Sequence, residues 1–454
     1  MQNYDLAVIG AGPGGYVSAI YASRLGMKTC LIEKDSVGGT CLNHGCIPTK
    51  VMLNCAAAIK SINAFRAYGV EVAGYNFAQE KLFSKREEVV TRLRSGIMSL
   101  LAANKVVLIK GAGRIKSQGL IDIAGALVGA KNIIIAAGSS PMDLPGMKFD
   151  DARILSSEGI LRLKSIPKSI IIVGGGVIGC EFATFYNTVG SKVYIIELMD
   201  RLLPTMDREL GKRLEVILKK RGIDIHTSVR VGSMNNSGDM VLSELQDGHS
   251  IKSETALICV GRRPNTAGLG LEELGISLDK GRIVVNEFLE TGVKGVFAIG
   301  DCINGPMLAH AASYEGTVVC DNIAGKKRRV DYNLIPSCIF TEPEIAACGL
   351  TEDEAKKLDP DSKAVKFPYM ASSKAQVINS ADGFIKMVGA KDGRLLGIEI
   401  MGHNACDLIG EASLAIAMKA NIEDIANAVH AHPTLSEIFG DASHLFLGKP
   451  IHTI

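Results

Sequence analysis

A pair of glycine-rich turns constrains the fold more than any other feature of the sequence. Each turn lies between an apolar segment and a segment that favours a helix, and each is followed at the same interval by an acidic residue. The members are Gly10, Gly12, Gly15 and Glu33 in the first copy and Gly174, Gly176, Gly179 and Glu197 in the second. In the spacing Gly-x-Gly-x-x-Gly, the first glycine allows a tight turn, the second lets a pyrophosphate reach the backbone, and the third lets the helix pack on its strand. One such pattern is weak evidence, but two copies with the same interval predict two dinucleotide sites.

Strand, glycine turn, helix and second strand follow one another in both copies. The sequence therefore predicts an α/β protein with two Rossmann-like dinucleotide-binding domains. The acidic residue at the end of each second strand is expected to accept hydrogen bonds from an adenosine ribose. Arg201 is the first arginine after Glu197, and none follows directly to receive a 2′-phosphate, so the second site should prefer NAD over NADP. The glycines alone leave both FAD and NAD open for the first site.

The composition is that of an ordinary globular protein. Of the 454 residues, 47% are hydrophobic and 22% are charged, and the formal net charge is +2. This balance gives no electrostatic reason to expect nucleic acid or an anionic membrane as a partner. No apolar run approaches the roughly 20 residues needed to cross a bilayer. Since no targeting segment precedes the apolar residues 6–9, the sequence predicts a cytoplasmic protein.

Two of the 11 cysteines stand apart from the rest. Most lie in apolar runs and are expected to be small core residues, whereas Cys41 and Cys46 lie in the stretch Gly-Gly-Thr-Cys-Leu-Asn-His-Gly-Cys-Ile-Pro-Thr-Lys. In a regular helix five residues advance roughly 7.5 Å along the axis, which already exceeds the Cα–Cα limit of about 7 Å for a disulfide. A bonded pair therefore requires a distorted helix. Gly45 and Pro48 favour a deformed first turn that leads into a helix over residues 51–59.

This cysteine pair has three possible interpretations: a metal site, a structural crosslink and a redox couple. A Cys-x4-Cys spacing without a second cysteine or histidine pair does not fit a zinc ribbon. A crosslink across so short a loop stabilises little, and a disulfide in a cytoplasmic protein favours redox chemistry. The redox interpretation is therefore preferred, with a zinc or iron–sulfur site as the alternative.

The cysteine segment resembles the active-site segment of the FAD-dependent pyridine nucleotide-disulfide oxidoreductases. The likeness extends over essentially the whole chain and includes Val-Gly-Arg-Arg-Pro-Asn-Thr at 260–266, Ala-Ile-Gly-Asp at 298–301 and His-Ala-His-Pro-Thr-Leu-Ser-Glu at 430–437. Two positions depart from the family pattern: His44 stands where a small apolar residue is usual, and Thr49 stands where Ser is common. The imidazole between the two sulfurs is either an inert exposed ring or a group that lowers the thiol pKa values.

The resemblance implies a role for each reactive group of the cysteine segment. Cys41 is expected to exchange disulfides with the substrate, and Cys46 is expected to lie next to the flavin. Lys50 is expected near the flavin ring, with Glu181 as its ion partner.

The resemblance also assigns the C-terminal histidine motif. His432 is expected to act as the base, and Glu437 is expected to hold its ring and raise its basicity. His430 is interpreted as a structural neighbour. In the family the pair that corresponds to His432 and Glu437 reaches the disulfide of the other subunit, so the resemblance implies a homodimer.

The resemblance places FAD at the first glycine turn and NAD at the second. The residues expected to contact FAD are Gly10, Gly12, Gly15, Glu33, Lys34, Gly39, Thr40, Lys50, Gly113, Ala137, Gly138, Asp301 and Ala309. The residues expected to contact NAD are Gly174, Gly175, Gly176, Gly179, Glu181, Glu197 and Gly261. No metal ligand is expected in either site.

The expected domains are an FAD-binding domain at 1–143, an NAD-binding domain at 144–266, a central segment of the FAD domain at 267–335 and an α+β C-terminal dimerisation domain at 336–454. The implied reaction is the oxidation of protein-bound dihydrolipoamide by NAD⁺ to lipoamide and NADH. The implied partner is a lipoyl domain of a 2-oxo acid dehydrogenase complex or the lipoylated H-protein of a glycine cleavage system. The alternatives are an enzyme that reduces another disulfide or mercury, and a metal-binding or redox-sensing scaffold.

Overall fold

The structure, a computed structural model, describes residues 2–453 except for the side chain of residue 63. The outermost residues of the first and last expected domains lie outside the described residues. The chain forms two compact units. The first comprises the residues up to Val173, Thr188–Ser191 and Val231–Val330, and the second comprises Gly174–Asn187, Lys192–Arg230 and the residues from Asp331 onward. The three boundaries between the four segments expected from the sequence remain a prediction.

Strands and helices alternate at the start of the chain, whereas residues 107–173 and residues 224–298 each form a run of strands without an α-helix between them. The helices are α1 (Pro13–Arg24), α2 (Gly39–His44), α3 (Cys46–Ala64), α4 (Gln79–Ala103), α5 (Val177–Thr188), α6 (Arg208–Lys220), α7 (Ala309–Ile323), α8 (Glu352–Leu358), α9 (Ser373–Val377), α10 (Ala405–Ala417), α11 (Ile422–Asn427) and α12 (Glu437–Phe446). The strands are β1 (Gln2–Ile9), β2 (Thr29–Glu33), β3 (Val107–Lys110), β4 (Gly113–Ser117), β5 (Leu120–Ile123), β6 (Ala126–Ile135), β7 (Ser139–Pro141), β8 (Ile154–Ser156), β9 (Ser169–Val173), β10 (Lys192–Ile196), β11 (Asp224–His226), β12 (Val231–Asn236), β13 (Val241–Leu245), β14 (Ser250–Ser253), β15 (Thr255–Ile258), β16 (Arg262–Pro264), β17 (Leu278–Asp279), β18 (Arg282–Ile283), β19 (Val296–Ala298), β20 (Ser337–Ile339), β21 (Glu344–Gly349), β22 (Lys363–Pro368), β23 (Phe384–Gly389) and β24 (Leu395–Gly402). Within residues 2–453, none of the helices combines the length and the apolar character needed to span a membrane.

The first unit is built on a seven-stranded sheet. Strands β3, β2, β1 and β6 lie side by side and parallel, β19 is parallel to β6, and β5 and β4 continue the sheet in antiparallel fashion. Leu6, Ala7 and Val8 of β1 are completely buried, as expected for a parallel strand that is covered on both faces. The carboxyl ends of β1, β6 and β19 therefore meet at one edge, which is where ligands bind in open α/β sheets.

Helix α7 packs closely on α1 because a glycine lies at the crossing. A Cβ atom built on Gly316 would lie only 2.1 Å from the hydroxyl oxygen of Ser18. The Ser313 hydroxyl donates to the Pro13 carbonyl at 3.2 Å. The first turn of α1 and the second turn of α7 are therefore neighbours.

Smaller sheets complete the first unit. Strands β8, β15 and β9 are parallel to one another, β12, β13 and β14 form an antiparallel sheet, and β7 pairs with β16 and β17 with β18 as antiparallel ribbons.

The second unit contains the parallel pair β10 and β11 and a five-stranded antiparallel sheet in the order β20, β21, β24, β23, β22. Its core joins this sheet to the C-terminal helices through fully buried apolar side chains, among them Phe367, Ile385, Ile398 and Phe439. The predicted α/β class, with an α+β C-terminal part, is confirmed.

A buried charged cluster lies in the second unit. Lys386 of β23 and Glu399 of β24 are cross-strand neighbours. The Lys386 Nζ lies 3.0 Å from Asp207, 3.4 Å from Glu352 and 3.6 Å from Glu399. Glu399 is only 2% exposed, and neither of its carboxylate oxygens has a hydrogen-bond partner among the described residues. This carboxyl group is therefore poorly solvated.

Candidate active site

The two cysteines of the active-site segment lie on either side of a break between two helices. Helix α2 ends at His44 and α3 begins at Cys46, with Gly45 between them at φ −147° and ψ −107°. The expected helix at 51–59 was too short, because α3 spans Cys46–Ala64. Pro48 fits into the first turn of α3, where no intrahelical partner is needed for a backbone N–H.

The side chains of Cys41 and Cys46 are hydrogen-bonded to each other. This hydrogen bond, together with burial and the repulsion between two sulfurs, raises the pKa of the Cys41 thiol, whereas the positive charge of Lys50 lowers it. Both cysteines are half-buried. Two sulfurs in contact beside a cation are suited to thiol–disulfide exchange, because the thiolate is the reactive species.

Glu33 fastens the first glycine turn to the end of β2. Its Oε2 accepts the backbone N–H of Ala11 at 2.7 Å, and its Oε1 accepts the backbone N–H of Asp35 at 2.8 Å. Since a carboxylate oxygen has two lone pairs, both oxygens retain the capacity to accept a ribose hydroxyl.

The three glycines of this turn have the geometry that a bound pyrophosphate requires. Gly10 has φ +100°, and a Cβ on it would lie 2.3 Å from the carbonyl oxygen of Ala136. A Cβ on Gly15 would lie 1.8 Å from the carbonyl oxygen of Gly10. A Cβ on Gly12, by contrast, would meet no atom within 4 Å, so the space beside this backbone is open. The turn fits the pyrophosphate of FAD.

The cysteine segment begins directly against the glycine turn. Gly38 and Gly39 have φ values of +93° and +57°, and a Cβ on Gly39 would lie 2.6 Å from the Cα of Gly12. Gly39 and Thr40, both expected to contact FAD, therefore lie where the two turns meet. Cys41 is the next residue along α2, so the phosphate turn and the reactive sulfur are held together by backbone contact.

Asp301, also expected to contact FAD, lies just beyond the carboxyl end of β19. The Ser139 hydroxyl donates to its Oδ2 at 2.5 Å. The Arg262 Nε donates to the Ser139 hydroxyl oxygen at 2.7 Å and lies 3.9 Å from the Asp301 carboxylate. Ser139 and Arg262 were not expected at this site from the sequence. The available signal was the position of Arg262 in the conspicuous segment 260–266.

Asn265 holds the predicted FAD residues that follow β6. Its side-chain amide donates to the Ala137 carbonyl at 3.1 Å, and its backbone N–H donates to the Gly138 carbonyl at 2.9 Å. Gly138 has φ +68°, and a Cβ on it would meet no atom within 4 Å. The loop after β6 therefore presents open backbone at the same sheet edge as the glycine turn.

The other residues expected to contact FAD differ in their surroundings. Lys34 is exposed directly after β2, and Ala309 is the first residue of α7. Gly113 is buried at the start of β4, where a Cβ would lie 3.3 Å from the Cγ2 of Ile32. Their contacts with FAD remain predictions.

The second glycine turn repeats the hydrogen bonds of the first. The Glu197 Oε2 accepts the N–H of Gly175 at 2.6 Å, and its Oε1 accepts the N–H of Met199 at 2.7 Å. Gly174 has φ +111°, and a Cβ on Gly176 would meet no atom within 4 Å. This turn therefore fits the pyrophosphate of NAD as the first fits that of FAD.

The remaining residues expected at the NAD site lie on α5 and after β15. Gly179 is buried in α5, and Gly261 has φ +141°. Glu181 is 3% exposed, and its Oε1 accepts the backbone N–H of Phe340 at 3.1 Å, a partner that the sequence did not reveal. The expected ion pair between Glu181 and Lys50 remains a prediction.

The C-terminal histidine motif contains two histidine–carboxylate pairs. The His432 Nδ1 lies 2.8 Å from the Glu437 Oε1, while the other oxygen of Glu437 accepts the N–H of Thr434 at 2.8 Å. Burial raises the pKa of the Glu437 carboxyl, but the hydrogen bonds from Thr434 and His432 outweigh it, so the pKa is lowered overall. The His432 side chain is 68% exposed. His430, in contrast, is 12% exposed and pairs with Glu411 at 2.9 Å, which suits the structural role expected for it.

His44 makes an ion pair on the outer side of the cysteine segment. Its Nε2 lies 3.8 Å from the Asp35 carboxylate, and its side chain is 38% exposed. The partner of the His44 imidazole is therefore Asp35, which lies two residues after Glu33.

The chain matches the family described as "Pyridine nucleotide-disulphide oxidoreductase" over residues 4–316 and the dimerisation domain of the same family over residues 335–443. It belongs to this family of flavoprotein oxidoreductases, with FAD and NAD as its cofactors. The match to the dimerisation domain supports a homodimer.

Individual relatives are similar in sequence to this chain over nearly its full length. The chain is 39% identical to "Dihydrolipoyl dehydrogenase" of Bacillus subtilis (strain 168), covering 99% of each chain. It is also 39% identical to "Dihydrolipoyl dehydrogenase, mitochondrial" of Pisum sativum (99% of this chain, 92% of the relative) and to "Leghemoglobin reductase" of Glycine max (98% and 88%).

Solved structures show the same fold. LpdA from Mycobacterium tuberculosis superposes with a TM-score of 0.91 at 25% identity, over 98% of this chain and all of that one. A Cu(II) complex of the HOCl-induced flavoprotein disulfide reductase RclA from Escherichia coli superposes with a TM-score of 0.88 at 26% identity and the same coverage.

Proposed function

We propose that the protein is a dihydrolipoyl dehydrogenase, which oxidises protein-bound dihydrolipoamide with NAD⁺. The observation that carries the proposal is the contact between the Cys41 and Cys46 thiols beside Lys50, on a segment that begins against the glycine turn. The names of the Bacillus and Pisum relatives support this choice of substrate. FAD, when bound, accepts an electron pair from the cysteines and passes it on to NAD⁺.

The proposed exchange begins with the Cys41–Cys46 pair as a disulfide. His432 accepts a proton from one substrate thiol, and the resulting thiolate attacks the Cys41 sulfur. The Cys41–Cys46 bond breaks, leaving a mixed disulfide at Cys41 and a thiolate at Cys46. The second substrate thiol then attacks the substrate sulfur of the mixed disulfide, its proton passes to the departing Cys41 sulfur, and lipoamide leaves. One disulfide is gained and one is lost, and the electron pair remains on the enzyme.

His432 and Glu437 act together in this step. The Glu437 carboxylate is fixed by the Thr434 N–H, and it holds the Nδ1 side of the imidazole at 2.8 Å. This bond leaves Nε2 as the proton acceptor and stabilises the imidazolium that forms. The resemblance to the family assigns each His432 of the homodimer to the cysteine pair of the other chain, and the exposure of its side chain supports this assignment.

The cofactor contacts assigned from the sequence are part of the proposal. The open backbone at Gly12 and Gly138 supports the assignment of FAD, and that at Gly176 supports the assignment of NAD. Glu197 at the second turn supports NAD over NADP, because a 2′-phosphate beside this carboxylate would meet a like charge.

The proposed partner carries the lipoyl group on a mobile domain of a 2-oxo acid dehydrogenase complex or on the H-protein. The cytoplasm is the proposed location. Cell fractionation followed by affinity capture of lipoylated proteins tests both statements, and recovery of the enzyme in another compartment would contradict the second.

Steady-state kinetics test the reaction itself. We expect NADH-linked turnover of lipoamide, with little turnover of glutathione disulfide or mercuric ion and lower rates with NADPH. Cys41→Ser and Cys46→Ser should abolish lipoamide turnover but retain bound flavin, whereas Cys55→Ser, a matched change further along α3, should retain both. Normal lipoamide turnover in either active-site variant would refute the disulfide mechanism. If the wild-type enzyme turned over glutathione disulfide or mercuric ion faster than lipoamide, the proposed substrate would be wrong.

A further inference from the structure

A second pair of thiols lies in contact outside the active site. Cys338 is in β20, the edge strand of the five-stranded sheet, and Cys406 is in the first turn of α10. Their side chains are hydrogen-bonded to each other. The Cys338 sulfur also lies 3.8 Å from the carbonyl oxygen of Cys406. Both residues are half-buried.

The position of the Cys406 sulfur is fixed from both sides. It contacts the carbonyl oxygens of Ile339 at 3.7 Å and of Ile345 at 3.8 Å. The backbone N–H of the same cysteine donates to the Glu344 carboxylate at 3.0 Å. The sulfur is thus held between β20 and β21, beside the residue that follows Cys338.

We infer that Cys338 and Cys406 are a second dithiol, which closes to a disulfide when the protein meets a peroxide and thereby ties β20 to α10 within one chain. One thiolate is oxidised by hydrogen peroxide to a sulfenic acid with release of water. The other thiol attacks that sulfur and expels a second water molecule. Two thiols and one peroxide therefore give one disulfide and two water molecules.

The charges around this pair are opposite to those at the active site. Lys50 lowers the pKa of the Cys41 thiol, whereas Glu344 adds to the hydrogen bond, burial and sulfur repulsion that raise the pKa of the Cys406 thiol. Since the thiolate is the species that peroxide attacks, the second pair should oxidise more slowly than the catalytic one. The pair should therefore stay reduced during turnover and close only under sustained oxidation.

A third thiol provides the matched control. Cys348 lies in β21 and is 3% exposed, with its sulfur 3.6 Å from the Asn333 carbonyl oxygen, and burial raises its pKa to about 11. It is close enough to Cys338 to be influenced by its charge. A specific pair predicts that Cys348 remains a thiol when Cys338 and Cys406 are joined.

Peptide mapping of the holoenzyme after graded hydrogen peroxide tests the inference. Free thiols are blocked under denaturing conditions, the protein is digested without reduction, and peptides are identified by mass spectrometry. We expect a peptide linking Cys338 to Cys406 that forms more slowly than the Cys41–Cys46 link, because the thiolate is the species that reacts with peroxide. Cys348→Ser should keep the link.

Cys338→Ser and Cys406→Ser should each lose the link and keep lipoamide turnover. Wild-type protein should gain melting temperature on oxidation, whereas these variants should not. Blocked thiols, or only sulfinic and sulfonic acids, at Cys338 and Cys406 after the catalytic pair has fully closed would overturn the inference. A link from either residue to Cys348 at equal yield would overturn it as well.

Discussion

Glu399 should make the stability of the protein fall as the pH rises. Burial, followed by repulsion from Asp207, raises the pKa of this carboxyl from its ordinary value of 4.5 to about 8, although Lys386 acts in the opposite direction. A raised pKa means that the folded state keeps a proton which the unfolded state releases. Stability is therefore greatest below pH 4.5 for this group and is lost progressively up to about pH 8.

The size of the effect follows from the two pKa values. Each tenfold change in proton affinity corresponds to about 1.36 kcal/mol, so the full difference is about 5 kcal/mol. Integrated between pH 5.5 and pH 8, the loss in free energy of unfolding is about 3 kcal/mol. Glu399→Gln removes the titrating group, while Lys386 keeps Asp207 and Glu352 as partners.

Urea unfolding of the wild type and of Glu399→Gln at several pH values measures this effect. The variant should gain on the wild type by about 3 kcal/mol between pH 5.5 and pH 8, and other titrating groups cancel in the difference. Glu423→Gln, which changes an exposed carboxylate of the same unit, should run parallel to the wild type. A constant difference between wild type and Glu399→Gln across this range would refute the assigned protonation.

Three further predictions concern the site. His432→Gln should lower lipoamide turnover by roughly 10²-fold or more, as expected for loss of a general base, while flavin absorbance and the dimer persist; near-normal NADH formation would remove its role. Gly39→Ala should release FAD, because its Cβ would lie 2.6 Å from the Gly12 Cα, whereas Gly26→Ala, also at positive φ but with no atom within 4 Å, should keep it; equal flavin content in both variants would contradict this reasoning. Glu197→Ala should weaken the preference for NADH over NADPH and lower the free energy of unfolding by about 1–3 kcal/mol. Kinetics with both nucleotides measure the first effect and urea unfolding measures the second; wild-type values in both measurements would contradict the prediction.

The local patterns of the sequence predicted the parts of the site that depend on neighbouring residues. The glycine spacing predicted both nucleotide turns, because turn geometry and close backbone approach are decided within a few positions. The α3 boundary was wrong because Pro48 was taken to precede the helix, whereas a proline is tolerated in the first turn. The position of Gly45 within the cysteine segment correctly indicated that the helix there is not regular.

These local patterns did not predict hydrogen-bond and ion-pair partners that are distant in the sequence. Nothing in the sequence near Ser139 indicates that Arg262 donates to its hydroxyl, and nothing near Glu181 indicates Phe340. The buried Lys386 was equally hidden, because in an alternating strand a lysine normally faces solvent. Such pairs arise from tertiary packing, which hydrophobic periodicity does not encode.

The acids at the two nucleotide turns have a consequence for how such a protein can change its coenzyme. Glu197 accepts a hydrogen bond from the backbone N–H of Gly175, and Glu33 accepts one from the backbone N–H of Ala11. Gly175 and Ala11 are both buried. Replacing either acid to admit a different ribose therefore leaves an interior amide without an acceptor. Each acid supports its own turn, so a lineage that replaces it during a change of nucleotide has to evolve another acceptor for the buried N–H.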